Sequence, residues 1–513
     1  MLPGSRDAFR TLRGAAARWA VSGGRWAASG GRWAVSGGRW AARGRLPLTI
    51  ALAGALAGGG LYLGNQAYVR AISPTSCPPG CVTNGTLSVS SDPEMQYFEN
   101  EIATANARAT AGAYYSVVLL DPVTYSTSST VSQSRMRDEL QGAYLALAAA
   151  NATVARKRAG VAIQLLLANE GTSDEEGESE AVQQIGSLEG PDRIVAVAGM
   201  GLSTLKTENA ANALSQVSMP MFGAVTTGDT FDGNYYQGFF QIVPDVEAQV
   251  STLVSRLGLT GPQPVALISS DKTGDIYSND LKSDFTTALG YSPTYPPPLG
   301  AFSYDPATAE QQFANYATDI CQQSKQAVQA PSTSLTVLYA GREASLPALV
   351  GQFQQASVCA RRSVTIVTGS DANALPPSVT DESGSPGANV TVVYSDIESV
   401  ANLSKMFVTG SAPPKSASSA TPCLNQEYDP WEVATYNSVM AAAFAVFKAA
   451  SGAAARTASP PGPLTAAAVL SKALDMVGSA PYPAPNGRFG FSPGGKLGNQ
   501  AIPVYTDENG TCS

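Results

Sequence analysis

The sequence contains no histidine among its 513 residues. Ser–His–Asp and Cys–His catalytic arrangements, imidazole general bases and His-containing zinc sites are therefore excluded. Charged residues are also scarce, at 14%, against roughly 25% in typical soluble domains. Glycine (49) and proline (34) are plentiful. This balance indicates an exported, loop-rich chain, and the length allows two or three folded units.

Positive charge is concentrated at the N-terminus. Residues 1–45 carry nine arginines and a single acid, Asp7, and they repeat the motif SGGRWA every seven residues. One interpretation of this arm is unstructured low-complexity sequence. The other is a lipid-contacting segment, because arginine pairs with phosphate and tryptophan favours the membrane interface.

Residues 46–69 contain no charged side chain and are long enough to cross a hydrocarbon core of about 30 Å as one helix. Cleavage by a signal peptidase is the alternative fate of this segment. The arginines before it predict a cytoplasmic N-terminus. We therefore expect a single-pass protein of the cell membrane, with the bulk of the chain outside the cytoplasm.

All six cysteines follow this predicted span, and their even number fits an oxidising compartment. Too few other ligands accompany the CPPGC motif for a metal site, because the chain has no histidine. Fifteen pairings are possible. The preferred hypothesis is the set Cys77–Cys81, Cys321–Cys359 and Cys423–Cys512.

Beyond a stalk and leading helix at 70–113, short apolar runs alternate with helical patterns. The runs are continuously apolar, which is typical of parallel strands covered on both faces. The pattern predicts two α/β units with mostly parallel sheets. Predicted strands include 116–120, 161–167, 194–198, 219–222, 265–269, 335–339, 364–367 and 390–393. A long Ala-rich helix at 431–450 carries an apolar stripe and is interpreted as core.

Several segments in order resemble the leucine/isoleucine/valine-binding proteins, which have the type I periplasmic binding protein fold and serve ABC transporters. They are VVLLDPVT, LQGAYLALAAAN, IVAVAGMGLSTLKTENAANALSQVSMPMFGAVTTGDTF, VALISSDKTGDIYSNDLKSDF and NGRFGFSPGGKLGNQAIPVY. The resemblance covers about Tyr114 to Asn509. It implies two lobes with a ligand in the cleft at the carboxyl ends of the strands. The expected boundaries are 114–243 plus 373–484 for lobe one, and 244–372 plus 485–508 for lobe two.

The resemblance also implies ligand-binding residues. A glycine-rich loop after the strand at 194–198 opens a helix, and free N–H groups there suit a carboxylate. The expected ligand-binding residues are Ser203, Thr204, Val225, Thr227, Tyr277, Arg342, Asp371 and Tyr125. Arg342 replaces a ligand-contacting aromatic residue of the family and would favour an anionic group. The acidic run from Asp174 to Glu180 is interpreted as a helix N-terminus rather than a metal site.

The leading hypothesis is a membrane-anchored solute-binding protein that captures a small amino-acid-like ligand by hinge closure for an ABC permease. The alternative is a sensory ectodomain that signals through the span to a cytoplasmic partner. An enzyme is not expected, because Ser203 and Ser370, the conceivable nucleophiles of a hydrolase, lack a base to activate them. No cofactor, metal or nucleic-acid partner is expected either.

Overall fold

Two mostly parallel sheets, each with helices packed on both faces, form two lobes. The computed structural model describes residues 76–126, 129, 131–259, 264–327, 334–374, 387–398, 429–454, 463–477, 482–484, 487–498, 502–508 and 511–512. The predicted arm and span lie outside the described residues. The α/β class and the two sheets agree with the prediction.

The sheet of lobe one has six strands. They are β1 (Val82–Thr83), β2 (Tyr114–Asp121), β3 (Ala162–Asn169), β4 (Ile194–Gly199), β5 (Met221–Gly223) and β6 (Phe239–Gln241). Their spatial order is β1-β3-β2-β4-β5-β6. The short β1 is antiparallel to β3, and the other pairs are parallel. Since helices cover both faces, β3 and β4 are buried along their whole length.

The sheet of lobe two has seven strands. They are β7 (Val265–Ser270), β8 (Ala301–Tyr304), β9 (Ser334–Ala340), β10 (Ser363–Thr368), β11 (Asn389–Ser395), β15 (Val504–Glu508) and β16 (Thr511–Cys512). Their order is β16-β15-β11-β10-β9-β7-β8, with β15 and β16 antiparallel to their neighbours. A small third sheet contains β12 (Tyr482–Ala484), β13 (Gly487–Phe491) and β14 (Leu497–Gly498).

Many of the helices begin at a short polar residue that caps the first turn. Asp92, Thr204, Asp245, Asp275 and Thr465 each accept a hydrogen bond from a backbone N–H of the helix that follows. The α-helices are α1 (Pro93–Thr110), α2 (Gln133–Ala152), α3 (Val154–Ala159), α4 (Glu178–Leu188), α5 (Leu205–Gln216), α6 (Val246–Leu257), α7 (Ile276–Ala288), α8 (Ala309–Ala327), α9 (Leu346–Gln355), α10 (Pro430–Ala454) and α11 (Ala466–Leu474).

The long helix α10 lies in the core of lobe one, against α2 and β4. Tyr436, Met440 and Phe447 of its predicted stripe are buried there, which confirms the interpretation as core. It is also the one helix of the described residues that is long and apolar enough to cross a membrane, but 89% of its apolar window is buried inside the protein.

The lobe boundaries differ from the predicted ones at two places. Strand β11 pairs with β10 in lobe two, although the boundary at 373 assigned it to lobe one. Phe491 of β13 packs in the core of lobe one, although 485–508 was assigned to lobe two. Both boundaries were implied by the family resemblance, and the pairing of β11 with β10 moves the return crossover to a point after Ser395.

The N-terminal segment is part of lobe one from residue 76 onward. Strand β1 extends the sheet, so the predicted stalk is integrated into the fold there. Helix α1 docks on the lobe through Met95, Phe98 and Ile102, as predicted. Disulfides join the predicted pairs Cys77–Cys81 and Cys321–Cys359. The pair Cys423–Cys512 stays a prediction, because Cys423 lies outside the described residues.

Candidate functional site

The two lobes meet through main-chain hydrogen bonds between the loop after β4 and the start of α7. The Ser203 carbonyl accepts from the N–H groups of Ile276 (3.1 Å) and Tyr277 (3.2 Å). The Leu205 N–H donates to the Gly274 carbonyl at 2.9 Å. The loop that was predicted to hold a carboxylate therefore uses the Leu205 N–H to bind lobe two.

Arg342 of lobe two lies at the centre of this junction. Its guanidinium donates to Asp275 Oδ1 from Nη2 (2.7 Å) and Nε (3.0 Å), and to Asp371 Oδ2 from Nη1 at 3.3 Å. A further bond from Nη2 reaches the Ser203 carbonyl of lobe one at 3.1 Å. The same group stacks 4.6 Å from the ring centre of Tyr277. Arg342 is thus neutralised by two carboxylates and ties the lobes together.

Burial and the charge of Arg342 shift the pKa values of the two aspartates in this network. Burial alone would raise the pKa of Asp275, but attraction to Arg342 and its hydrogen bonds outweigh burial and hold that pKa below its usual value. Burial raises the pKa of Asp371 despite the opposing pull of Arg342. Asp275 is therefore the firmly ionised partner of Arg342.

A second arginine crosses the junction from lobe one. Arg135 Nε lies 3.0 Å from Glu343 Oε2, and its Nη2 donates to the Asp371 carbonyl at 3.3 Å. The Trp431 ring lies 4.2 Å from the Arg135 guanidinium carbon. Because Arg135 is fully buried, water screens the attraction between Arg135 and Glu343 less than it would screen an exposed ion pair.

A cavity of about 320 Å³ opens beside the junction and is bounded by both lobes. Asp174 of lobe one and Lys272 of lobe two form an ion pair across it at 2.6 Å, and Lys206 Nζ donates to the Asp174 carbonyl at 2.6 Å. The lining residues are Ser173, Asp174, Leu202, Thr204, Leu205, Lys206, Lys272, Thr273, Gly274, Asp275 and Arg342.

Behind the cavity wall lies a carboxylate cluster, which we define as Asp121, Glu139, Glu170 and Glu175. All four residues are at most 2% exposed. Glu175 Oε1 accepts from the Leu202 N–H at 2.8 Å, and its Oε2 accepts from the Thr204 hydroxyl. Burial, followed by the repulsion of neighbouring carboxylates, raises the pKa of Glu170 well above its usual value. Burial raises the pKa of Asp121 to about 8.

Of the predicted ligand-binding residues, Thr204 and Arg342 line the cavity. Ser203, Tyr277 and Asp371 lie in the interlobe network; the Ser203 hydroxyl accepts from the Gly228 N–H at 2.9 Å, and the Tyr277 hydroxyl accepts from the Asp371 N–H at 3.2 Å.

The other three predicted residues lie elsewhere in the structure. Val225 is part of the lobe-one core. Thr227 is buried, and its carbonyl accepts from the Val246 N–H. Tyr125 is 42% exposed.

Sequence reasoning missed Asp275, Lys272 and Glu175. Asp275 had a signal, because an Asp directly before a helical pattern is a typical N-cap. Glu175 belongs to the acidic run interpreted as a helix N-terminus; Glu178 and Glu180 do lie in the first turn of α4, but Glu175 is buried under Thr204. The spacing of the acids from Asp174 to Glu180 does not distinguish the buried Glu175 from the acids in the first turn of the helix.

No protein-family model matches the sequence, and no curated protein matches it significantly. Solved structures do. A possible leucine/isoleucine/valine-binding protein from Rhodopirellula baltica SH 1 is 11% identical with a TM-score of 0.53, covering 78% of this chain and 96% of that one. An ABC transporter substrate-binding protein from Desulfitobacterium hafniense, in complex with Leu, is 14% identical with a TM-score of 0.52, covering 78% and 99%.

A third similar structure is the solute-binding protein of an ABC transporter from Rhodopseudomonas palustris BisB5 in complex with 3,4-dihydroxybenzoic acid. It is 14% identical with a TM-score of 0.51, covering 77% of this chain and 93% of that one. Likeness at these identities establishes architecture alone. The chain has the two-lobed type I periplasmic binding protein fold of these leucine/isoleucine/valine-binding and ABC-transporter substrate-binding proteins.

Proposed function

We propose that the chain is a solute-binding protein that holds a small amino-acid-like ligand between its lobes without converting it. The observation that carries this proposal is the cavity bounded by both lobes. Leu202 follows β4 and Lys272 follows β7, so the cavity lies outside the carboxyl ends of both sheets. Open α/β sheets bind ligands at this position. The volume of about 320 Å³ suits a small molecule.

Hinge closure is the mechanism that we propose for capture. The chain passes from lobe one to lobe two at 242–245, returns after Ser395, and crosses again between β14 and β15. The first and third crossovers are adjacent, because Lys496 Nζ bonds Asp245 Oδ2 at 2.6 Å and the Gln241 N–H donates to the Gly495 carbonyl at 3.0 Å. Rotation about such paired connections opens and closes a cleft.

The proposal extends to where the protein works. Residues 46–69 would anchor it, with the lobes outside the cytoplasm, and an ABC permease would receive the ligand. The absence of charge in 46–69 and the arginines before it support the anchor. The fold supports the transport role by analogy.

The test is a thermal-shift screen of the full chain in detergent against amino acids, short peptides, amines, amides and sugars, followed by calorimetry. A ligand at 100 times its Kd stabilises the folded state by about 2.7 kcal/mol. The variant Thr273→Trp fills the cavity from an exposed position, so we expect it to weaken binding by about tenfold or more.

The matched control is Val217→Trp, which also introduces a tryptophan. Helix α5 begins at the cavity with Leu205, and Val217 follows its other end, where it is 53% exposed. Val217→Trp should bind like the wild type. Equal binding by wild type and Thr273→Trp would place the site elsewhere. A library without any saturable shift would contradict the proposed function.

A further inference from the structure

The carboxylate cluster contains buried acidic oxygens that the described residues leave without hydrogen-bond donors. Both oxygens of Glu170, Oδ2 of Asp121 and Oε1 of Glu139 have no hydrogen-bond partner among the described residues. Buried polar atoms without a partner are rare in folded proteins, and buried charges are costlier still. Four such oxygens on three neighbouring side chains call for a partner from outside the chain.

The two arginines near the cluster form their ion pairs outside it, although Nη1 of Arg135 has no hydrogen-bond partner among the described residues. The positive charge of Arg135 lowers the pKa of Glu139, and that of Arg342 lowers the pKa of Glu175, but in both cases burial outweighs this attraction. Arg135 is paired with Glu343, and Arg342 with Asp275 and Asp371. Within the described residues, neither arginine donates a hydrogen bond to the cluster, which therefore carries more acids than bases.

The cluster converges on the loop 199–201. A Cβ on Gly201 would lie 2.4 Å from Glu170 Oε2 and 2.9 Å from Glu175 Oε1, and a Cβ on Gly199 would lie 2.7 Å from Asp121 Oδ2. Only glycine leaves the carboxylates this close to the backbone. Nearby, Met200 and Glu175 have φ of 71° and 51°, a left-handed conformation that is costly for both residue types and concentrates at ligand clamps.

The loop 199–204 is also the wall between the cluster and the cavity. Glu175 bonds the Leu202 N–H and the Thr204 hydroxyl, and both residues line the cavity. The same loop is held to lobe two through the Ser203 carbonyl. Separation of the lobes would release that hold on the loop.

We infer that the ligand is a cation, an aliphatic amine whose ammonium group is bound by Asp121, Glu139 and Glu170 of lobe one. This inference rests on the proposed function and names its ligand class. Asp371 is not part of this site, because its carboxylate is already bound to Arg342. An ammonium donates three hydrogen bonds and neutralises one charge, which matches acceptors that lack donors.

An organic cation fits better than a metal ion. No group of three or more Asp, Glu or Cys side chains in the described ranges is arranged to hold a metal ion. An ammonium suits more widely spaced acceptors, because its N–O distances are about 2.7–2.9 Å, against about 2.0–2.6 Å for magnesium and calcium. Metal salts still serve as one arm of the test.

The test is calorimetric titration of the full chain with 1,5-diaminopentane and, as a neutral match, 1,5-pentanediol; 1-aminopentane and 1-pentanol form a second pair. Calcium and magnesium chloride form the metal arm. We expect both amines to bind and both neutral partners to fail. The variant Glu170→Gln keeps the shape and removes the charge, so it should weaken amine binding by about tenfold or more. Glu139→Gln should act in the same direction.

The matched control is Glu180→Gln, which removes the same charge from an exposed position on α4 and should bind like the wild type. Because burial raises the pKa values of the cluster carboxyls, amine binding near pH 7 should release protons. The measured heat should then change with the ionisation enthalpy of the buffer.

Three results would overturn the inference. Saturable binding of neutral or anionic solutes that Glu170→Gln leaves unchanged would refute the amine site and leave the proposed function standing. Binding of calcium or magnesium but not amines would replace the amine with a metal. Failure of every solute class would contradict the inference and the proposed function together.

Discussion

Replacing Arg342 with methionine is the sharpest test of how the lobes are held together. The substitution keeps most of the volume and removes the guanidinium, which bonds Asp275 at 2.7 Å and 3.0 Å and the Ser203 carbonyl at 3.1 Å. It leaves Asp275 and Asp371 buried without their cation. Removing one partner of a buried ion pair costs roughly 3–5 kcal/mol. We expect a loss of free energy of unfolding in that range at pH 7.

The assay is denaturant unfolding followed by fluorescence and circular dichroism. The double variant Arg342→Met with Asp275→Asn should recover part of the loss, because asparagine still caps α7 and carries no charge. The pKa of Asp275 is held low in the native state, so its contribution is present above its unfolded pKa of about 3.9 and is lost as the pH falls. The deficit of Arg342→Met should therefore shrink as the pH falls below about 4. A loss at pH 7 below about 1 kcal/mol, the value of an exposed pair, would refute the reasoning.

Three further predictions concern the carboxylate cluster, its glycine loop and a disulfide. Burial raises the pKa of Asp121 to about 8 and that of Glu170 well above its usual value. A raised acid pKa favours the folded state at low pH, so the wild type should lose stability between about pH 4 and pH 8. Asp121→Asn and Glu170→Gln should each flatten part of that loss in thermal melts, whereas Glu180→Gln should not. Gly201→Ala should cost about 1–3 kcal/mol, measured by denaturant unfolding, because its φ is 61° and Glu170 Oε2 would lie 2.4 Å from the new Cβ; unchanged stability would contradict the crowding. Replacing Cys321 and Cys359 with alanine opens a loop with a sequence separation of 38 and should cost about 4 kcal/mol, which comparison of the variant with the oxidised wild type will measure.

Much of the fold could be predicted from the sequence, because it depends on local patterns. The continuously apolar runs correspond to β2, β3, β4, β7, β9, β10 and β11, and buried parallel strands require such runs. The two cysteines of the CPPGC motif are four residues apart, so the short loop keeps their side chains close enough to form a disulfide. The lobe boundaries depend on which strands pair, and the pairing of β11 with β10 is not written in either segment alone.

The candidate site was harder to predict, because it depends on contacts between distant segments. Arg342 was predicted to favour an anion from the ligand, but Asp275 and Asp371, 67 and 29 residues away, are the anions it binds. Glu175 appeared to be one acid among several, and its burial depends on the loop that carries Thr204. A position at a strand end indicates that a residue lies near the cleft. It does not indicate which neighbouring side chains will form hydrogen bonds and ion pairs with that residue.

The main-chain pairing of Thr204 with Asp275 joins the lobes through atoms that every residue except proline possesses. Cavity side chains other than Arg342 can therefore be exchanged without removing these main-chain bonds. Substitutions that change the cavity lining can therefore accumulate while the main-chain bonds between the lobes are kept. An engineer can likewise diversify Lys206, Lys272 and Thr273 as a library while keeping the main-chain bonds between Thr204, Leu205 and the start of α7.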